Sequence, residues 1–131
     1  MDRWDVVDGV QRMQDYIEEH IQDPITLSDL ARAAGYSQWH AARVFKELTG
    51  KAPFEYVRAL RLTKAALLLR DEQPRIVDVA FDFVFASHEG FTRAFSRQFG
   101  MSPVDYRRNP KQIRLFMPDR ARDRYLKLQK G

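Results

Sequence analysis

Ser37-Gln38-Trp39-His40-Ala41-Ala42-Arg43-Val44-Phe45-Lys46 has a counterpart fifty residues later, Ser87-His88-Glu89-Gly90-Phe91-Thr92-Arg93-Ala94-Phe95-Ser96. Serine, arginine and phenylalanine hold the same places in both. The match continues outward at that offset: Gly50, Pro53, Tyr56 and Arg58 answer to Gly100, Pro103, Tyr106 and Arg108. Upstream of one inserted residue the offset is 49, pairing Leu27, Asp29, Leu30, Ala31 and Tyr36 with Ile76, Asp78, Val79, Ala80 and Phe85. A repeat of this length is one supersecondary unit used twice.

Each copy reads as helical. Thr26 or Ser28 can cap a short helix that Gly35 stops, and Ser37 caps a second one ended by Gly50. Two helices with only a few residues between them are the sequence form of a helix-turn-helix. In the second copy a helix spans roughly 76–83, Ser87 caps the next, Gly100 ends it, and Ser102-Pro103 opens a last short helix to Arg108. Residues 53–71 contain no breaker after Pro53 and are rich in good helix formers, so they form one long linker helix. Ahead of the repeat, Val6, Val10, Met13 and Ile17 fall at helical spacing among acids. The expected fold is all-α, with about seven helices and two helix-turn-helix units: first unit 6–52, linker 53–71, second unit 75–108, and a basic tail 111–131 beyond a domain of residues 1–110.

Composition narrows the function classes. With 131 residues and 44% hydrophobic content the chain can bury a core. No apolar run approaches the ~20 residues that span a bilayer, so no membrane partner is expected. The absence of cysteine excludes disulfides and thiolate chemistry and fits a reducing cytoplasm. His20, His40 and His88 lack metal-ligand spacing, and there is no phosphate loop or nucleophile motif; no enzyme, metal or cofactor is expected. Charge is uneven. Residues 1–29 hold eight acids and two basic residues, residues 30–110 eight and thirteen, and residues 111–131 two and seven. One acidic pole with a basic surface elsewhere suits a polyanionic partner.

The second helix of each copy has two faces. Ala41, Val44, Phe45 and Leu48 form one apolar stripe, and Phe91, Ala94 and Phe95 the other. The opposite faces carry Trp39, Ala42, Arg43 and Lys46, and Glu89, Thr92, Arg93 and Ser96. An α-helix fits the DNA major groove, where arginine bonds guanine O6 and N7 together, glutamate accepts from cytosine N4, and apolar groups touch the thymine methyl. Arg43 and Arg93 are the first choices for base contacts, each with a structural ion pair to a nearby acid as its alternative. Thr92, Glu89 and His88 follow, and Trp39 offers a flat apolar face or a rim core residue. Ser37, Gln38, Lys46, Lys51, Arg58, Arg61, Ser87 and Arg97 are the expected phosphate contacts, which set register without reading sequence. A linker of nineteen residues spans about 28 Å, against about 34 Å between successive major grooves. Because the two faces differ, the site should be asymmetric.

Leu30-Ala31, Gly35-Tyr36-Ser37-Gln38-Trp39-His40, Arg43-Val44-Phe45-Lys46, Asp78-Val79-Ala80, Phe91-Thr92-Arg93-Ala94-Phe95, Gly100-Met101-Ser102-Pro103 and Tyr106-Arg107 resemble the AraC/XylS family of bacterial transcription regulators, in layout its small MarA/SoxS/Rob-like members. The resemblance covers about residues 8–108. It implies two helix-turn-helix units on a long helix, binding to promoter DNA in the cytoplasm at the nucleoid, and activation through contact with RNA polymerase. Two departures stand out. The family has glycine before the aromatic of the second turn, where this chain has Val84; either valine takes a positive φ at about 1–2 kcal/mol or the turn is reshaped. Ala42 is small where relatives carry a polar reader, which leaves the first unit to Trp39 and Arg43.

In the tail, Ile113, Leu115 and Met117 alternate like the start of a strand, while Tyr125, Leu126 and Leu128 lack an obvious partner. Family members often carry a separate ligand-binding domain. The tail is then the start of one, through which a small-molecule effector would act, or else a docking segment of a stand-alone regulator. The competing function is a helical protein-interaction module without sequence-specific DNA binding.

Overall fold

The structure, a computed structural model, describes residues 3–130. Eight helices run α1 (Trp4–Glu19), α2 (Leu27–Ala34), α3 (Gln38–Thr49), α4 (Pro53–Glu72), α5 (Ile76–Asp82), α6 (His88–Phe99), α7 (Pro103–Arg108) and α8 (Ala121–Lys130). There is no strand among the described residues, and none of these helices is long and apolar enough to cross a membrane. The helix beyond the expected seven is α8. The chain divides into two compact units, Met1–Val57 with Pro118–Gly131, and Arg58–Met117. The long helix α4 therefore begins in the first unit and continues in the second.

In the first unit, Val7, Val10, Met13 and Ile17 turn the buried face of α1 inward. Val7 takes the place expected of Val6, which is half-buried at the rim. Gly9 is needed on this face, since an added Cβ would lie 2.8 Å from Tyr36 Oη. Thr26, not Ser28, caps α2. Its hydroxyl accepts from Asp29 N at 3.1 Å while the Asp29 carboxylate accepts from Thr26 N at 2.9 Å. Those bonds hold the Asp29 carboxyl below the usual range. Arg12 reaches from α1 to the last carbonyls of α2, Ala33 and Ala34, at 3.1 and 3.0 Å. Ala41, Val44, Phe45 and Leu48 of α3 are buried as expected, with Phe45 edge-on to Tyr56 at 5.0 Å between ring centroids.

The tail departs from expectation. Residues 109–120 have no regular structure, and Ile113, Leu115 and Met117 form no strand. Alternation alone is insufficient, because a strand requires a partner to satisfy its backbone. Here Phe116 N donates instead to the buried Thr63 hydroxyl at 2.8 Å, within the second unit. Helix α8 then packs on α1 and α3. Its first N–H, from Ala121, is accepted by Gln11 and Gln14 side chains, each at 2.9 Å. Arg124 Nε donates to Leu48 O near the C-terminus of α3 at 3.2 Å, where a cation is favoured. Tyr125 finds Trp4, edge-on at 5.0 Å. Arg122 of the tail lies over the Trp4 ring of α1, its guanidinium carbon 5.7 Å from the centroid.

The second unit repeats the local chemistry of the first. Phe91 and Phe95 are fully buried in α6, with Ala94 half-buried beside them. Phe95 also meets Phe99 and Tyr106 at 4.8 and 5.9 Å. Gln98 ties α6 to α4 through Ala59 O at 3.1 Å. Ser102 caps α7 with Pro103 in its first turn, and Arg107 Nη1 donates to Pro74 O at 2.7 Å. Helix α5 ends at Asp82, one residue short of the expected limit.

Candidate nucleic-acid interface

Two segments are built alike. Ser37 Oγ accepts from His40 N at 3.1 Å and Ser87 Oγ accepts from Gly90 N at 3.0 Å, so α3 and α6 start from equivalent caps. Both run for 12 residues and end on left-handed glycines, Gly50 at φ 84° and Gly100 at φ 79°. The turns before them also correspond. Gly35 stands at φ 76° with Tyr36 N bonded to Ala31 O at 2.9 Å; Val84 stands at φ 66° with Phe85 N bonded to Ala80 O at 2.9 Å. The second turn is therefore not reshaped. Valine accepts the left-handed conformation, because the i→i−5 closure and the aromatic that follows it hold the backbone there.

The outward faces differ in how their arginines are held. Trp39 is 72% exposed, too open for a rim core residue, and the Arg43 guanidinium carbon lies 4.9 Å from its ring centroid. Arg43 Nη1 donates to Glu47 Oε1 at 3.2 Å, and Nη2 lies 3.3 Å from His40 Nδ1. The other Glu47 oxygen is 3.8 Å from Arg3 Nη2. Arg43 thus forms the ion pair named as its alternative while staying 44% exposed, so it is not sequestered by it. Arg93 is exposed and makes no hydrogen bond, ion pair or ring contact among the described residues.

The remaining site candidates are distributed as follows. His88 and Glu89 lie exposed in the first turn of α6 and Thr92 is half-buried beside Arg93. Ser37, Gln38 and Lys46 are exposed along α3, Ser87 is half-buried, and Arg97 is exposed on α6. Lys51, after the α3 C-terminus, is half-buried, with its backbone N and O both bonded to the Thr49 hydroxyl. Arg58 is exposed on α4 and Arg61 is half-buried there, where burial pulls its guanidinium below the ordinary range. Both belong to the second unit and Lys46 and Lys51 to the first. Sequence reasoning passed over Glu47, His40 and Arg3. The (i, i+4) spacing of Arg43 and Glu47 was sufficient to find the first of these. No cluster of three metal-ligating side chains occurs among the described residues.

Residues 30–109 match a family model described as a helix-turn-helix domain. The right origin-binding protein of Escherichia coli K12 is 45% identical over 96 residues, 73% of this chain and 33% of that protein. The chain thus spans about a third of the length of that relative. Regulatory protein SoxS of Escherichia coli K12 is 38% identical over 98 residues, which are 75% of this chain and 92% of SoxS. Among solved structures, an AraC-type DNA-binding-domain transcriptional regulator from Chromobacterium violaceum has a TM-score of 0.72 at 26% identity, covering 79% of this chain and 96% of that one. The twin capped helices, the repeated turn and these relatives together make the chain a DNA-binding domain of the AraC/XylS family of transcription regulators, of the SoxS and Rob kind.

Proposed function

We propose that this chain regulates transcription by placing α3 and α6 in successive major grooves of one asymmetric promoter site. The observation that carries the reading is the pair Arg43 and Arg93. Each occupies the same position of a serine-capped 12-residue helix, with its guanidinium open to solvent. A guanidinium fork matches guanine O6 and N7. Trp39 offers its exposed face to sugars or thymine methyls, and Thr92, Glu89 and His88 complete the second reading face. Ser37, Gln38, Lys46, Lys51, Arg58, Arg61, Ser87 and Arg97 supply phosphate contacts. The 20 residues of α4 extend about 30 Å, close to one duplex turn of about 34 Å. Neither reading face repeats the other, so one chain reads two unlike half-sites. The whole protein acts in the cytoplasm at the nucleoid, recruits RNA polymerase as an activator, and takes any small-molecule effector through a further domain.

In vitro selection from random duplexes tests this. The selected site should hold two dissimilar elements about one turn apart. Arg43→Ala and Arg93→Ala should each flatten preference at a different element by about 1–3 kcal/mol, while binding to random duplex persists. Equal loss on selected and random DNA would refute base reading. Failure to select any site, with no salt-dependent binding, would favour the protein-interaction module.

A further inference from the structure

We infer that Glu47 is a positioning residue that holds Arg43 aimed for base reading and makes α3 the stricter reader of the two helices. The inference rests on Arg43 being a base contact. Trp39, Arg43 and Glu47 lie at successive (i, i+4) positions on one face of α3. The guanidinium is held from three sides: the Trp39 ring at 4.9 Å, Glu47 Oε1 at 3.2 Å and His40 Nδ1 at 3.3 Å. His40 can accept there only as the Nε2–H tautomer, and it is itself set edge-on to Tyr36 at 4.5 Å between ring centroids. An arginine has five N–H donors in a rigid fork. Glu47 and His40 engage one each, which leaves enough for a two-bond contact with guanine. The exposed ion pair adds little to folding stability. Its effect is to restrict a side chain that would otherwise lose its freedom only on binding DNA.

The second unit lacks this arrangement. The residues equivalent to Trp39 and Glu47 are Glu89 and Arg97. Glu89 makes no bond to Arg93 among the described residues, and Arg97 sets a like charge one turn beyond it. Arg93 therefore samples more orientations before binding, and a non-preferred base pair can be met by a different rotamer. Glu47 also carries a negative charge on a face that approaches phosphates, so it lowers overall affinity while sharpening choice.

The test compares base-preference profiles of the wild type, Glu47→Gln, Arg43→Ala and the double variant by selection and sequencing, with unfolding midpoints as the folding control. The base pair read by Arg43 is the one that Arg43→Ala flattens. Glu47→Gln should flatten that same position by about two- to fivefold and leave the α6 element unchanged. It should raise random-duplex affinity slightly, and add nothing to Arg43→Ala in the double variant. Glu47→Asp, which keeps the charge on a shorter arm, should recover part of the preference. If Glu47→Gln tightens selected and random DNA alike without touching the profile, Glu47 is a simple repulsive charge and the inference fails while Arg43 stands as a reader. If Arg43→Ala alters no position, both fall together.

Discussion

Replacing Val84 gives the sharpest test of the repeated turn. Valine at φ 66° is β-branched and left-handed, a combination that costs roughly 1–2 kcal/mol relative to a right-handed conformation. Glycine removes that strain but gains freedom in the unfolded chain, worth about 0.4–1 kcal/mol. Both Val84→Gly and Val84→Ala lose the half-buried side chain, so comparing them cancels the lost burial. The glycine variant should be the more stable of the two by about 1 kcal/mol, or about 4–8 °C in the midpoint of a unit this size. At an ordinary helical position the order is reversed, with glycine the worse by a similar amount. Both Val84 N–H to Phe81 O and Phe85 N–H to Ala80 O survive either change. Far-ultraviolet circular dichroism is the appropriate readout, because Trp4 and Trp39 both lie in the first unit and their fluorescence does not report on the second. The mirror experiment is Gly35→Ala, where an added Cβ meets nothing within 4 Å and φ is 76°. It should cost about 1 kcal/mol through the backbone alone, read by tryptophan fluorescence. An alanine at position 84 as stable as glycine would refute the left-handed assignment.

Two further outcomes follow from the seating of the tail. Gln14 is buried, donates to Tyr56 Oη at 3.2 Å and Asp119 O at 3.0 Å, and accepts from Ala121 N. Gln14→Leu keeps the volume but removes these three bonds, leaving Ala121 N to Gln11 alone, at about 1–3 kcal/mol, and should loosen α8 and speed trypsin cleavage at its basic residues; unchanged cleavage would show that α8 is held by other contacts. Tyr56 has its phenol pushed up to about 12 by burial. Its neutral form is favoured in the folded state, so this contribution is complete below pH ~10 and lost as pH rises toward ~12, by up to roughly 2–3 kcal/mol. Tyr56→Phe should flatten that alkaline limb in an unfolding series across the same pH range, and an identical pH dependence would remove Tyr56 as its cause.

How much was legible can be argued residue by residue. The paired helices were readable because their limits are set locally: serine hydroxyls cap, glycines accept φ near 80°, and phenylalanines bury at helical spacing. The turn at Val84 was readable only as a choice between strain and rearrangement, since that outcome depends on the tertiary surroundings. Helix α8 was not readable. Only Ala121 is buried among its described residues, so no apolar stripe announces it. It is seated by polar groups distant in sequence, Gln11, Gln14 and Leu48 O. Ile113, Leu115 and Met117 show the reverse failure, a period-two pattern with no strand to pair with.

The repeat also explains why the outward faces of α3 and α6, the proposed reading helices, can differ. What recurs is what holds the backbone: the serine caps, the left-handed turn, the buried phenylalanines and the pairs Phe45–Tyr56 and Phe95–Tyr106. The phenylalanines and tyrosines lie on the inward faces, where a change of volume costs stability, and a lost serine cap costs it at the helix start. The outward faces keep one arginine each and vary around it, with Trp39 against Glu89, Ala42 against Thr92 and Glu47 against Arg97. Exposed substitutions cost little in folding. A duplicated unit joined in one chain can therefore diverge on its reading faces without weakening either core, which a dimer of identical subunits cannot do. On the proposed reading, an asymmetric site follows from joining two unlike reading faces in one chain.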